Sequence, residues 1–314
     1  MSYEKIGLIG FGNWINDAYL PFINDSEEIN ISHISTKTQT SLDKSKIIFG
    51  DSSNYSLNYQ NLIKDESLDL IILSVPDEMH GEILEEILDV NIDCVIEMPL
   101  TSKNQNAKKL ISKIESQNNL IIPNLEMSYL PIVDYLKSII AEKKYGNILS
   151  AKLLLSANWW PGFGIYSSSA WYVDVLNKIF DSLPYRVSSK VEEKSNYPTE
   201  SKGVAFLDYQ SFIAEWQFNM ESNELSVILE LFFEEKDMKI NLMTSEIISE
   251  NNKKIDFYEP YHGWPGMNEF LNEIFYNQNK GKIQYFKEIE SLQKISNGLE
   301  LSMTNKKNKW IDIL

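Results

Sequence analysis

The stretch Lys5-Ile6-Gly7-Leu8-Ile9-Gly10-Phe11-Gly12-Asn13-Trp14-Ile15 decides how this chain is read. A short apolar run ends in Gly10-x-Gly12, and Ile15 to Ile23 then has the pattern of a helix, so strand, tight turn and helix follow in order. That order is the pattern of a βα unit that binds a dinucleotide. Gly10 permits the turn, Gly12 lets backbone N–H groups approach a diphosphate, and the helix N-terminus supplies partial positive charge. Ile15 stands where a third glycine is usual, which implies a helix set slightly further from the strand and not a lost phosphate site. Phe11, Asn13 and Trp14 belong to the same turn and join the two glycines as candidate cofactor contacts.

Working outward, 314 residues, 43% of them apolar, can build one large or two medium domains around packed cores. A formal charge of −16 argues against nucleic acid and anionic membrane surfaces as partners, because both would be repelled. The single cysteine, Cys94, lies in an apolar run and reads as a core residue; one thiol cannot form an intramolecular disulfide, which suggests a reducing compartment. The N-terminus enters its first strand without a charged-then-apolar leader, so the expected location is the cytoplasm. His33, His80 and His262 have no metal-ligand spacing, and no metal is expected.

After the first helix, Ile29 to Thr36 is a strand ending in Ser35-Thr36-Lys37. An NAD-binding unit places an acid near here for the ribose 2′-hydroxyl, whereas hydroxyl and cationic side chains suit a 2′-phosphate. The residues present favour NADP over NAD. Gly50 to Tyr59 reads as a loop, Tyr59 to Lys64 as a short helix, and Leu68 to Val75 as a strand buried on both faces. A helix from Gly81 to Leu88, a strand from Asp93 to Ile96, a helix from Asn104 to Ser116 and a strand from Leu120 to Ile122 complete an α/β, doubly wound parallel sheet. Composition changes near Pro123, which divides the chain into residues 1–122 and 123–314. The second part reads as α+β with an open, mainly antiparallel sheet: a helix over Ile132 to Lys144 capped by Gly146, a strand from Ile148 to Ala157, a helix over Ser169 to Phe180, and alternating strands from Ser211 onward. Two helices, Met267 to Asn277 and Lys287 to Ser302, close the chain.

Five segments in this order resemble the glucose-fructose oxidoreductase and inositol dehydrogenase family (Gfo/Idh/MocA): Gly10 to Trp14, Leu20-Pro21, Ser74-Val75-Pro76-Asp77-Glu78-Met79-His80, Glu97-Met98-Pro99-Leu100, and Ala170 to Asp181. The resemblance implies an N-terminal Rossmann domain, a C-terminal α+β domain, an active site in the cleft between them, and a homodimer or homotetramer. It also implies cofactor contacts at Ser74, Val75, Pro76, His80, Glu97 and Met98, and places Glu126 and Tyr129 facing the cleft. His80 serves equally well as a helix cap, and Glu97 either orients the nicotinamide end of the cofactor or ties down the turn at Pro99.

Two departures bear on the chemistry. Sugar dehydrogenases of the family carry Glu-Lys-Pro where this chain has Glu97-Met98-Pro99, and Asp-x-x-x-His where it has Asp174-Val175-Leu176-Asn177-Lys178. Met98 moves no proton. Lys178 can donate one, which suits reduction of a C=N, conjugated C=C or C=O group, with Lys178, Asp174 and Glu97 as candidate catalytic residues. The biliverdin reductase branch is similar in replacing the motif lysine, and thiazolinyl imine reductases are another non-sugar branch. Trp159, Trp160, Trp171 and Tyr172, with Met98, Glu126, Tyr129 and Asn177, are candidate substrate contacts, because aromatic rings stack on flat or partly apolar small molecules. Asp174 and Lys178 also stand one helical turn apart and can pair. Two alternatives stay open: a sugar or polyol dehydrogenase in which Lys178 replaces the histidine, and a catalytically silent dinucleotide-binding sensor or partner subunit.

Overall fold

The computed structural model describes residues 3–102, 107–157, 164–193, 200–248, 254–256, 263–304 and 309–313. The chain forms two compact units, Met1–Leu125 with His262–Glu290, and Glu126–Tyr261 with Ser291–Leu314.

The first unit alternates strands and helices: β1 Ile6–Ile9, α1 Leu20–Asp25, β2 Ile31–Ser35, α2 Gln39–Phe49, β3 Asn54–Ser56, α3 Tyr59–Ile63, β4 Leu70–Leu73, α4 Asp77–Asp89, β5 Asp93–Glu97, α5 Ala107–Ser116 and β6 Ile121–Asn124. All six strands are parallel, in the order β3-β2-β1-β4-β5-β6. This is the order of a dinucleotide-binding sheet, whose reversal between β1 and β4 opens the ligand crevice at the strands' carboxyl ends. Strands β1 and β4 are apolar and buried on both faces, because helices cover each side. Register aligns those carboxyl ends: Ile9 pairs with Ser35 and Leu73, Leu73 with Ile96, and Glu97 with Asn124.

Several boundaries differ from expectation for physical reasons. Gly50 to Tyr59, expected as a loop, holds β3, a three-residue edge strand too short for periodicity to reveal. Helix α4 starts at Asp77, four residues before the expected Gly81, because Pro76 caps a first turn carrying Asp77 and Glu78. The expected start of α5 at Asn104 lies outside the described residues. The helix after the glycine turn opens as a π-turn, Ile15–Tyr19, with the Leu20 N–H bonded to the Ile15 carbonyl, before α1 begins. Pro21 cannot donate, and its ring crowds the carbonyl four residues back, which favours the widened turn.

The second unit carries a sheet of nine strands in the order β14-β13-β12-β11-β7-β10-β9-β8-β15. Its elements are α6 Pro131–Ala141, β7 Ile148–Ser156, α7 Ile165–Phe180, β8 Arg186–Glu193, β9 Glu200–Asp208, β10 Ile213–Asn219, β11 Ser226–Phe233, β12 Asp237–Asn241, β13 Glu246–Ile248, β14 Lys254–Asp256 and β15 Ile311–Asp312. Pairing is parallel between β7 and β10 and antiparallel elsewhere in this sheet. Period-two patterning does what it should: Ala214, Trp216 and Phe218 of β10 are buried in a core shared with α6 and α7, while Ile213, Glu215 and Gln217 take the other face. Helix α6 ends at Ala141 and not at Lys144, since Lys143 already takes the left-handed conformation (φ 51°) three residues before Gly146, which is left-handed as well (φ 78°). The Lys143 and Lys144 N–H groups then bond back to Ile140 and Ile139, closing a Schellman motif.

Helices α8 Met267–Asn272 and α9 Lys282–Thr304 follow. A single division after residue 122 is therefore replaced by a discontinuous one. β6 keeps Pro123 and Asn124 in the first sheet, and α8 returns to that unit, where Phe275 beyond it stacks on Phe22 at 6.2 Å. Among the described residues, no helix is long and apolar enough to cross a membrane.

Candidate functional site

In the first unit the site grows from Gly10. Its φ is +96°, and a Cβ there would lie 1.8 Å from the Ser74 carbonyl oxygen, so only glycine lets the β1 turn pass the end of β4. Its N–H donates to the Ser35 carbonyl at 2.8 Å. Gly12 is the opposite case: a Cβ there would meet nothing within 4 Å. One glycine shapes the turn from within, and the other keeps its outer surface low enough for a ligand's backbone contacts. Those two observations fit a diphosphate held by this turn.

Beside the turn, Glu97 ends β5 as a buried carboxyl. Its Oε1 accepts from Trp14 Nε1 at 2.9 Å, from the Tyr19 hydroxyl at 2.6 Å and from Asn124 Nδ2 at 3.1 Å. Burial raises its pKa, and the hydrogen bonds from Tyr19, Asn124 and Trp14 pull the other way. The π-turn makes this convergence possible. Residues five apart in an α-helix lie about 140° apart around the axis, whereas an i→i+5 turn puts Trp14 and Tyr19 on one face. Tyr19 and Asn124 were not among the expected residues, because a π-turn leaves no periodic signature and Asn124 lay beyond the anticipated end of β6.

His80 is buried, with Nδ1 2.7 Å from the Pro99 carbonyl oxygen and Nε2 2.7 Å from that of Val75. The ring lies between the loop after β4 and the loop after β5 with a carbonyl acceptor at each nitrogen, a structural placement where the sequence offered either a cofactor contact or a helix cap. Met98 is buried at 1% exposure, so its side chain is not presented to a substrate as expected. Phe11 is also buried, edge-on to Phe49 at 6.1 Å. Asn13 and Pro76 are exposed and Trp14 half-buried. At the end of β2, Ser35 and Thr36 are buried, the Thr36 hydroxyl donates to the Thr38 carbonyl at 2.9 Å, and Lys37 is exposed. Trp264, in the second segment of this unit, meets Trp14 edge-on at 5.2 Å and 71°. Nothing in its local sequence marks it.

In the second unit, a 3-10 turn, Glu126–Tyr129, packs on α7. Lys178 Nζ lies 5.0 Å from the centre of the Tyr129 ring, a cation–π contact. Asp174 and Asn177 are buried on the same helix, and the Tyr209 hydroxyl donates to Asn177 Oδ1 at 2.8 Å. That hydroxyl is pushed well above its ordinary pKa by burial and then by Asp174. Among the described residues, Asn177 Nδ2 and Ser128 Oγ are buried with no hydrogen-bond partner. Glu126 is buried and Trp171 half-buried. Tyr172 corrects its assignment: it is buried and stacks on Trp216 at 5.9 Å and 13°, so it fills the core and not a ligand site. Trp159 and Trp160 lie outside the described residues. Among the described residues, no cluster of His, Cys, Asp and Glu is arranged to hold a metal ion.

Comparison with known proteins bears on both units. Residues 4–125 match the model of a family described as oxidoreductase, NAD-binding Rossmann fold. An uncharacterized oxidoreductase of Schizosaccharomyces pombe is 25% identical over 154 residues, which are 45% of this chain and 42% of that protein, so well under half of the relative's length is matched. Solved structures extend the likeness in fold to the whole chain. An oxidoreductase from Thermotoga maritima superposes with a TM-score of 0.81 at 11% identity, covering 99% of this chain and 98% of that one. Levoglucosan dehydrogenase in complex with NADH and L-sorbose gives 0.79 at 14% identity, covering 100% of both chains. An oxidoreductase from Agrobacterium radiobacter, in complex with NAD+, L-tartaric acid and magnesium, gives 0.78 at 11%, covering 100% and 99%.

Proposed function

We propose, for a chain that belongs to the Gfo/Idh/MocA oxidoreductase family, that it is an NAD(P)H-dependent reductase of a C=N, conjugated C=C or C=O group in a small planar or partly apolar molecule. The observation that carries the cofactor half is the pair of glycines: Gly10 is locked by the Ser74 carbonyl, and Gly12 has open space where a side chain would stand. The strand order and the relatives solved with NADH and NAD+ support the same ligand. Backbone amides at Gly12 and Asn13 would hold the diphosphate, and Lys37 favours a 2′-phosphate, hence NADP over NAD.

When bound, a reduced nicotinamide supplies the hydride. The chain's own part is to orient and to move a proton. Lys178 as an ammonium gives its proton to the heteroatom or carbon that gains electron density, and recovers it from solvent. Met98 has no proton to give, which is why the reading assigns that step to Lys178. Asn177 Nδ2 and Ser128 Oγ, buried and without hydrogen-bond partners among the described residues, leave unused donor capacity on and beside α7. A silent dinucleotide sensor is the second reading, favoured by the buried Met98 at a position where dehydrogenases of the family use lysine.

Fluorescence titration of the purified chain with NADPH and NADH tests the premise, with micromolar affinity for at least one expected. No measurable affinity for either sinks the redox assignment. Tight binding with no turnover across imine, enone and carbonyl panels favours the sensor.

A further inference from the structure

We propose that Trp264 forms, with Trp14, an aromatic wall against the nicotinamide ring, making Trp264 a cofactor-binding residue. The inference rests on the dinucleotide reading above and specifies which end of the ligand it touches. Trp14 stands two residues beyond Gly12, and its indole N–H is anchored on Glu97 at 2.9 Å. Glu97 ends β5, which with β4 and β6 forms the half of the sheet opposite the adenosine half built from β1, β2 and β3. The two indoles therefore sit beside the nicotinamide mononucleotide half.

Trp14 cannot swing freely. Its anchor, Glu97, is held in turn by Tyr19 at 2.6 Å and Asn124 at 3.1 Å. Trp264 is delivered from a turn joined to α8: the Met267 N–H donates to the Trp264 carbonyl, and the Phe270 N–H to that of Gly266, whose φ is +82°. The side chains of Met267, Phe270 and Leu271 are buried. The turn joined to α8 thus carries Trp264 to its 5.2 Å, 71° contact with Trp14. Both indoles remain half-buried, while Ile15 and Met267, close to them in sequence, are buried. Trp216 of the second unit shows the contrast, a tryptophan serving only its core at 0% exposure. Two oriented, half-exposed rings beside a turn with open space over Gly12 make a surface for a flat aromatic ring.

The test uses the full chain with Trp264→Ala and Trp264→Phe, titrated calorimetrically with NADPH and with 2′-phospho-ADP-ribose, which lacks nicotinamide. Trp264→Ala is expected to weaken NADPH about tenfold, the upper range of one ring–ring contact, and to leave the fragment unchanged. Trp264→Phe should keep most of the affinity, yet lose part of the energy transfer from tryptophan emission to bound dihydronicotinamide. Equal weakening of both ligands, or no change for NADPH, overturns the assignment. If Trp264→Ala does not fold, undiminished energy transfer in Trp264→Phe overturns it just as well. Binding of neither ligand by the wild-type chain would instead be the failure of the dinucleotide reading.

Discussion

Glu97 in the first unit collects donors from Trp14, Tyr19 and Asn124, three side chains that converge on one oxygen. In the second unit, Asn177 Nδ2 and Ser128 Oγ are equally buried and meet no partner among the described residues, and Lys178 lies over the Tyr129 ring. In the first centre each donor is used to fix a loop or an indole, while the acceptor Asn124 Oδ1 has no partner among the described residues. The second holds donor capacity unspent, which costs stability unless a ligand completes it. A polar network with its donors spent positions; one with donors unspent recognises. The two centres should therefore respond to mutation in opposite currencies, stability in the first and turnover in the second.

The hardest blow to the first unit is Gly10→Ala. A Cβ 1.8 Å from the Ser74 carbonyl, at φ +96°, forces the β1 and β4 ends apart. The expected loss is about 3 kcal/mol or more, seen as a drop in thermal midpoint or as insoluble protein. Gly12→Ala sharpens the point, because its Cβ meets nothing within 4 Å. That variant should fold with wild-type stability and lose dinucleotide affinity. If Gly12→Ala binds NADPH normally, the turn does not approach a ligand as argued.

The second centre is probed by Lys178→Ala. If Lys178 is the proton donor proposed, its loss lowers turnover by about 100- to 10,000-fold, while NADPH affinity should hold. Stopped-flow single turnovers with a substrate found by screening measure this directly. Undiminished turnover removes Lys178 from the chemistry.

Glu97→Gln is a gentler test. A glutamine keeps one acceptor for Trp14 and Tyr19, and its new N–H₂ can donate to Asn124 Oδ1, which has no partner among the described residues, once that amide turns over. At pH 4 variant and wild type should agree within about 1 kcal/mol. Burial raises the pKa of Glu97, so the folded state binds this proton more tightly than the unfolded chain does. Its contribution is complete below the ordinary glutamate pKa of about 4.3, falls as pH climbs, and is lost above the raised value. The variant lacks this titration and should gain on the wild type between pH 4 and pH 8. A variant that instead loses ground over that range would mean the donors around Glu97 outweigh its burial.

These contrasts also explain what could be read in the chain before its structure. The six-stranded sheet was legible because each piece is local: Leu70 to Leu73 is an unbroken apolar run, and Gly10-x-Gly12 sits at a strand end. The Glu97 network was not, because Trp14, Tyr19, Asn124 and Trp264 come together through a π-turn, a strand register and a return of the chain, none of which leaves periodicity. In the second unit, alternation marked β10 well. Alternation along α7 could not tell that Tyr172 faces Trp216 in the core while Lys178 reaches the Tyr129 ring; only packing decides which side of a largely buried helix meets the sheet.

The smallest expected effect lies at the far edge of the first unit. The Ser35 carbonyl accepts from Gly10, the Thr36 N–H donates to Ser56, the Thr36 hydroxyl donates to Thr38, and the Thr38 hydroxyl caps α2 by accepting from Ser41. Lys37 alone among these residues projects an exposed charge with no such constraint on its geometry. A 2′-phosphate meeting an exposed ammonium gains up to about 1 kcal/mol, so Lys37→Ala should weaken NADPH by roughly three- to fivefold and leave NADH unchanged. Lys37→Asp should reverse the preference outright by repelling the phosphate. The gap between the two cofactors should also narrow as salt rises beyond about 0.15 M, where exposed charges are screened within roughly 8 Å. Parallel titrations of both cofactors at low and high salt decide the matter. An equal loss for NADH and NADPH in Lys37→Ala would mean that Lys37 helps to shape the loop and does not read the phosphate.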